Sequence, residues 1–196
     1  MPFRPALALL ATSALCAAIA LPAAADPLDA ASARGQLFPA DRVEVLRYDV
    51  TGLSEQEVTV LTTVAQTQKY YAAIAFAPDA GIMAEPTVLA ANYHSPDAAR
   101  EAAFSGCNAR RDGGRPCQLA MEVRPEGWQA RDLMLSADAT TAFDEDYRRA
   151  RGSRAFAVSL ASGQWGIGRG NGAPAEAVAA CQADTEVSDC AVVIAD

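Results

Sequence analysis

The chain has 196 residues, with 24 acidic side chains against 16 lysines and arginines and a formal net charge of −8. An acidic protein lacks the positive potential that attracts nucleic acid or anionic lipid, so we expect neither as an electrostatic partner. The length suits one ordinary domain or two small ones. After residue 21 no apolar run approaches the length needed to span a membrane, so we expect no integral membrane segment after the start of the chain.

Residues 1–25 have the pattern of an export signal peptide. Arg4 precedes an apolar run, and three consecutive alanines stand immediately before Asp26, as at a signal-peptidase cleavage site. We therefore expect a periplasmic or secreted protein that begins at Asp26. Residues 26–40 are predicted to be a loose leader, and residues 41–196 a single domain.

The first part of that domain contains two clear elements. Residues 42–46 alternate between polar and apolar side chains, which is typical of an edge strand. Ser54 and Glu57 form a capping-box sequence, and apolar residues follow at helical spacing. Further along the chain, residues 137–150 are predicted to be a helix that buries one face.

Four cysteines remain after export, in two closely spaced pairs. In an oxidising compartment this pattern predicts two local disulfides, Cys107–Cys117 and Cys181–Cys190. A four-cysteine zinc site is the alternative. Zinc sites use closer cysteine spacings, and His94 is the only histidine, so we assign no metal site.

The two cysteine pairs lie in stretches with the same predicted order of elements: strand, turn, strand, helix, cysteine, loop, cysteine, strand. The first stretch is residues 70–123 and the second is residues 154–196, joined by a helix-containing segment, residues 124–153. Pro96 and Pro174 stand where each helix would begin. The predicted fold is α+β, with two pseudo-repeated strand-strand-helix-strand halves, each held by its disulfide, packed as one compact antiparallel sheet and helix unit.

The sequence Tyr-Ala-Ala-Ile-Ala at residues 71–75 precedes an alanine-rich helix that ends in cysteine, and a second cysteine precedes an apolar strand. In this pattern the chain resembles a family of exported bacterial proteins of unknown function, over residues 70–123 and more compactly over 154–196. The resemblance implies no catalytic residues. Similar chains sometimes carry an aminolevulinate-synthase-type name, but that reaction needs a lysine Schiff base to pyridoxal phosphate in a much larger fold, and Lys69 is the only lysine.

Two segments could carry chemistry. Residues 166–172 are rich in glycine and precede a helix, as in phosphate-binding loops. No acidic residue follows at the distance that a dinucleotide site needs, so a tight turn is favoured. Asp144, Glu145 and Asp146 could supply carboxylates for acid–base catalysis, but arginines four residues beyond the first two favour an exposed helix face with ion pairs.

Single residues offer weaker candidates. His94 could act as a base, but a lone histidine at a helix entrance is more often a surface or capping residue. Trp128 and Trp165, with Tyr70 and Tyr71, could line a ligand groove, although core packing is the default role of aromatic side chains.

These observations favour a non-catalytic binding or envelope-interaction module, because no candidate constellation outweighs its structural interpretation. A small exported hydrolase that uses Asp or Glu is the alternative, and a nucleotide or metal binder is the third possibility. A pocket joining His94 to two carboxylates would favour an enzyme. An exposed apolar groove or an open sheet edge would favour the binding module, whose partner is an unidentified envelope or extracellular molecule.

Overall fold

The computed structural model describes residues 26–183 and 187–196, so the predicted signal peptide lies outside the described residues. Helices and strands are mixed along the chain. In chain order they are α1 (Ala30–Gln36), β1 (Val43–Arg47), α2 (Glu55–Gln66), β2 (Ala72–Phe76), β3 (Val88–Ala90), α3 (Pro96–Arg110), β4 (Gln118–Pro125), α4 (Ala137–Ala142), a π-helical turn (Phe143–Tyr147), β5 (Arg154–Ser159), β6 (Trp165–Arg169), a 3-10 turn (Gly170–Gly172), α5 (Ala173–Gln182) and β7 (Cys190–Ala195).

The strands form two antiparallel sheets, in the orders β1-β4-β2-β3 and β6-β5-β7. The predicted mixture of helices and strands is confirmed, but two sheets replace the expected single unit. The physical reason lies in the first sheet, whose two faces are both apolar. Val58 and Leu61 of α2 pack on one face, and Ala99 and Ala103 of α3 pack on the other. A sheet covered on both faces has no face left to share with the other half.

The second sheet is also covered on both faces. Ala173 and Ala177 of α5 pack on one side, whereas Ala33 of α1 packs on the other with the two aromatic residues of the π-helical turn, Phe143 and Tyr147. The rings of Phe143 and Tyr147 stack with centroids 5.5 Å apart. No helix within residues 26–183 and 187–196 is long and apolar enough to cross a membrane.

Both predicted disulfides are present. The bonds Cys107–Cys117 and Cys181–Cys190 each join Cα atoms 6.2 Å apart. In each case the bond connects the end of a helix to the beginning of the next strand. The helices do not end at the cysteines, however, because α3 continues to Arg110 and α5 to Gln182.

Residues 26–40 are not the loose leader that was expected. The carboxylate of Asp29 accepts a hydrogen bond from the backbone N–H of Ser32 and caps α1. Leu37 and Phe38 are buried, and Leu28 pairs with β7. The segment is fixed by contacts with distant parts of the chain, which a short sequence window does not show.

The helix predicted over residues 137–150 is shorter and irregular. Its α-helical part ends at Ala142, and the chain continues in the π-helical turn to Tyr147. The expected buried face is nevertheless present, because Ala139, Phe143 and Tyr147 are all fully buried.

Candidate binding site

The strands that follow the two disulfides differ at their outer edges. β4 pairs with β1 along five residue positions. β7 is met on its outer side only by Leu28, among the residues that the structure describes: the N–H of Leu28 donates to Val193 O at 3.0 Å, and the N–H of Ala195 donates to Leu28 O at 2.9 Å. The beginning of β7 is therefore an open sheet edge within the described chain.

An apolar groove of about 300 Å³ runs beside this edge. Leu160, in the turn between β5 and β6, forms one wall and exposes 65% of its surface. The carboxylates of Asp26 and Asp132 are exposed at the rim. The apolar lining consists of Leu28, Leu133, Leu160, Ala191, Val192 and Val193. An exposed apolar surface with a polar rim is typical of an interaction site.

Asp189 fixes the turn that presents Leu160. Its carboxylate accepts hydrogen bonds from Ser159 Oγ at 2.6 Å and from the N–H of Ala161 at 3.0 Å. Partial burial acts to raise the pKa of Asp189, but these hydrogen bonds outweigh it and hold the pKa below its ordinary value. The carboxylate is therefore charged at neutral pH and keeps the turn in place.

A second cavity, open and about 760 Å³ in volume, lies between the same turn and the outer side of α3. Leu160 lines this cavity as well as the groove, so the two lie next to each other at this side chain. Phe104 adds an apolar contact, and Asp97 and Glu101 add exposed carboxylates. Of the described residues in the lining, only Arg100 is a cation.

The charge of Arg100 is already matched by carboxylates of the protein. Its Nη1 donates to Glu122 Oε2 at 2.8 Å, and its Nη2 contacts Asp97. Glu122 is fully buried on β4 and also accepts hydrogen bonds from Tyr48 Oη, at 2.8 Å, and from Arg124 Nε. Burial alone would raise the pKa of Glu122, but these three donors hold it below its usual range. This cluster of Glu122 and its three donors supports the fold beneath the cavity. The other charged residues in the lining of the cavity, Asp97 and Glu101, are negative.

His94 lies elsewhere than predicted, because it is 99% buried rather than at the surface. The N–H of Ser136 donates to its Nδ1 at 3.0 Å, which leaves the ring proton on Nε2 to donate to Gln164 O at 2.9 Å. Burial lowers the pKa of His94, and the hydrogen bond to Gln164 and the charge of Asp189 only partly oppose this. The neutral ring joins the start of α4 to the turn between β5 and β6.

Ser159, Asp189 and His94 lie in one region but do not form a catalytic triad. Ser159 donates directly to Asp189, and both ring nitrogens of His94 are engaged by backbone groups. In a triad the histidine would contact the serine and the aspartate. The sequence did not single out Ser159 or Asp189, because their contact depends on the pairing of β5 with β7.

The glycine-rich segment is mainly part of a strand. Gly166 and Gly168 belong to β6, and only residues 170–172 form the expected tight turn. A Cβ atom on Gly168 would overlap Ala173 O and lie 2.6 Å from Ala177 N, so the glycine allows α5 to lie directly on β6. Close packing of helix and strand accounts for these two glycines without a phosphate ligand.

The acidic segment lies in the π-helical turn. Asp144 forms the expected ion pair with Arg148, at 3.0 Å, and also contacts Arg34. Glu145 and Asp146 are exposed. No ion pair joins Glu145 to Arg149 among the described residues. The three carboxylates therefore occupy a helix surface, and Asp144 is held by arginines.

The four candidate aromatic residues lie in packed environments. Tyr70 and Tyr71 are fully buried. The ring of Trp165 stacks on Phe156 with centroids 5.7 Å apart, and a guanidinium group covers the half-buried Trp128. These side chains contribute to core packing. None of them lines the groove beside β7 or the cavity between the Leu160 turn and α3.

Comparisons of the chain with protein-family models, curated proteins and solved structures find no match. The family resemblance drawn from the cysteine pattern therefore stays a prediction. Within residues 26–183 and 187–196, no group of three or more His, Cys, Asp or Glu side chains is placed to hold a metal ion.

Proposed function

We propose that the chain is an exported, non-catalytic binding protein whose groove beside β7 takes an extended segment of a partner protein. The open edge of β7, next to an apolar groove, is the observation that carries this proposal. An extended segment adds to an open edge through backbone hydrogen bonds, while its alternate side chains enter neighbouring pockets. The partner is an envelope or extracellular protein.

The charges around the groove define the chemistry of the partner segment. Asp132 stands at the groove, and Asp97 and Glu101 stand at the cavity beyond Leu160. Asp26 adds little net charge, because an exported chain that begins there carries a cationic α-amino group on the same residue. The net charge of −8 adds a long-range attraction for cations. The segment that fits this surface has apolar side chains for the groove and basic side chains for its rims.

Two observations support export within this proposal, and two others support an internal repeat. Residues 1–25 have the pattern of a signal peptide, and both disulfides suit an oxidising compartment. The central strands β2 and β5 each lie between a hairpin partner and the strand after the disulfide, and both contain a bulge, at Ile74/Ala75 and Phe156/Ala157. In a repeat of this kind β7 corresponds to β4, and the partner segment takes the place that β1 holds on β4.

A pair of synthetic peptides tests the proposed function. One alternates valine with lysine over eight residues, and the other alternates valine with aspartate. Fluorescence anisotropy should show the lysine peptide binding about tenfold or more tightly than the aspartate peptide, with an affinity that falls as salt is added. Equal affinities, or no binding of the lysine peptide, would contradict the proposed specificity.

Groove variants locate the binding. Leu160→Ser and Val192→Thr remove apolar contacts from the groove, and each should weaken the lysine peptide several-fold. Val64→Thr is the matched control, because Val64 is an exposed apolar residue on α2, outside the groove. Loss of affinity in the control equal to that in the groove variants would show that the peptide binds elsewhere.

A further inference from the structure

A separate cavity of about 320 Å³ is lined by three arginines. They are Arg34 of α1, Arg148 after the π-helical turn and Arg154 at the start of β5, and the only other lining residues are Ala30 and Ala31. Among residues 26–183 and 187–196 no carboxylate is part of the lining, although the chain as a whole is acidic. The cavity is thus opposite in charge to the groove beside β7.

Two carboxylates contact these arginines, and one of them, Asp196, also accepts a hydrogen bond from the N–H of Ala30 in the lining, at 3.2 Å. Asp144 Oδ1 lies 3.3 Å from Arg34 Nε and 3.0 Å from Arg148 Nη1, and Asp196 Oδ2 lies 3.2 Å from Arg154 Nε. Each arginine keeps at least one terminal amino group without a hydrogen bond to another described residue. The ion pairs therefore orient the guanidinium groups and leave donors for a ligand.

Arg154 is the most firmly held of the three. Its guanidinium group lies 5.2 Å from the ring centre of Tyr147 and donates a hydrogen bond to Ala150 O. Asp196, its partner, accepts a hydrogen bond from Tyr147 Oη at 2.9 Å. The side chain of Arg154 is only 18% exposed, whereas those of Arg34 and Arg148 are 42% and 47% exposed. One fixed and two accessible arginines thus surround the same space.

We infer that this cavity binds the phosphate group of a small molecule or of a lipid headgroup, through its local arginine donors and against the negative net charge of the chain. Guanidinium groups present paired N–H donors that match the oxygen atoms of a phosphate, and several of them around one space make a strong oxyanion site. The inference does not depend on the peptide groove, because the lining residues of the two surfaces are different.

Inorganic phosphate is the probe for this site. Titration of the purified protein, followed by NMR, should give saturable shifts of backbone amides in residues 30–34 and 148–154, beyond those caused by sodium chloride at equal ionic strength. The double variant R34Q/R148Q should weaken phosphate binding about tenfold or more. Arg154 is left unchanged because its contacts also support the fold.

The control variant is R47Q/R110Q, which removes the same charge at two exposed positions outside the cavity. It should bind phosphate as the unmodified protein does. The inference is overturned if phosphate gives no saturable shifts, or if the control weakens binding as much as R34Q/R148Q, since the response would then reflect net charge alone.

Vesicles distinguish the two sources of the phosphate group. If the site takes a lipid headgroup, the protein should sediment with phosphatidylglycerol vesicles and not with phosphatidylcholine vesicles, and R34Q/R148Q should abolish the sedimentation. If the ligand is a small molecule, inorganic phosphate should bind while neither vesicle retains the protein. Sedimentation that R34Q/R148Q leaves unchanged, together with unchanged phosphate binding, would contradict the site.

Discussion

The sheets β1-β4-β2-β3 and β6-β5-β7 share a way of fixing the strand that follows the disulfide. In the first, Asp79 in the turn after β2 accepts a hydrogen bond from Arg115 Nε at 2.7 Å, just before the second cysteine. In the second, Asp189 just before the second cysteine accepts from Ser159 Oγ at 2.6 Å. Only the first sheet then receives another strand, β1. A disulfide and an aspartate position a strand, but they do not cover its outer edge.

The helices also meet the two sheets differently. On the first sheet α3 approaches through small residues, and a Cβ on Gly106 would meet only the side chain of Val88, at 3.2 Å. On the second sheet α5 lies against the backbone of β6, because Gly166 and Gly168 have no side chains there. A side chain such as that of Val88 can shift to admit an added methyl group. Two backbone segments in direct contact, as in α5 and β6, cannot.

The difference between the two helix contacts predicts the largest change in stability. Gly168→Ala should lower the free energy of unfolding by about 4 kcal/mol, because the added methyl group forces α5 away from β6. Gly106→Ala should change the free energy of unfolding by less than about 1 kcal/mol, since Val88 can change rotamer and alanine favours the helix more than glycine does. Urea unfolding of both variants measures the difference. Equal losses would remove the proposed distinction between the two helix contacts.

The buried carboxylate of the first sheet gives the next effect. Glu122→Gln leaves Arg124 without its counter-charge and leaves Arg100 with Asp97 alone. It should lower the free energy of unfolding by about 3 kcal/mol, at the lower end for a buried pair because both arginines are partly exposed. Glu126→Gln, an exposed position, is the control and should change stability by less than about 0.5 kcal/mol. Equal melting temperatures for the two variants would show that the cluster is dispensable.

Removing the second disulfide should cost slightly less. The double variant Cys181→Ala/Cys190→Ala frees a short loop in the unfolded chain, which amounts to about 2–3 kcal/mol by loop entropy. Cys107→Ala/Cys117→Ala should cost more, because both of those cysteines are also buried in the core. Denaturant midpoints under non-reducing conditions provide the measurement. An unchanged midpoint for the second-sheet variant would contradict the clamping role of that disulfide.

The smallest effect is a pH dependence from His94, which joins the two halves of the molecule. Its pKa in the folded protein lies below the value of about 6.5 expected for the unfolded chain, so only the unfolded state gains a proton as the pH falls below about 6.5. Stability should decrease from pH 6.5 to 5, by up to about 1.4 kcal/mol per pH unit. His94→Gln should flatten this part of the stability profile, and a profile of unchanged slope would exclude His94 as its cause.

Local sequence signals predicted the features that residues close together in the sequence determine. Ser54 and Glu57 form the capping box, Pro96 begins α3, and both disulfides join cysteines that are near in sequence. Predictions from local sequence were wrong where the contacts of a residue come from distant parts of the chain. His94 is buried because Ser136 and Gln164 supply backbone partners that no short window contains.

For the candidate site, the sequence predicted only the kind of surface, an apolar groove or an open sheet edge, and not the residues that form it. Glu122 stands between apolar residues in a predicted strand, and such a charged residue at an inward position is a signal of a buried ion pair. The groove had no comparable signal, since Leu160 and Val192 lie far apart in sequence and meet only through the pairing of β5 with β7.

Hydrogen–deuterium exchange along β4 and β7 tests the central claim, that β7 has an open edge which a partner segment completes. In the free protein, amides of residues 121–123 should exchange slowly, because this part of β4 is paired with β1 on one side and β2 on the other, and amides of residues 190–193 should exchange faster. Addition of the valine–lysine peptide should slow exchange in residues 190–193 and leave residues 121–123 unchanged. Peptide binding that leaves exchange in β7 unaltered would contradict the account.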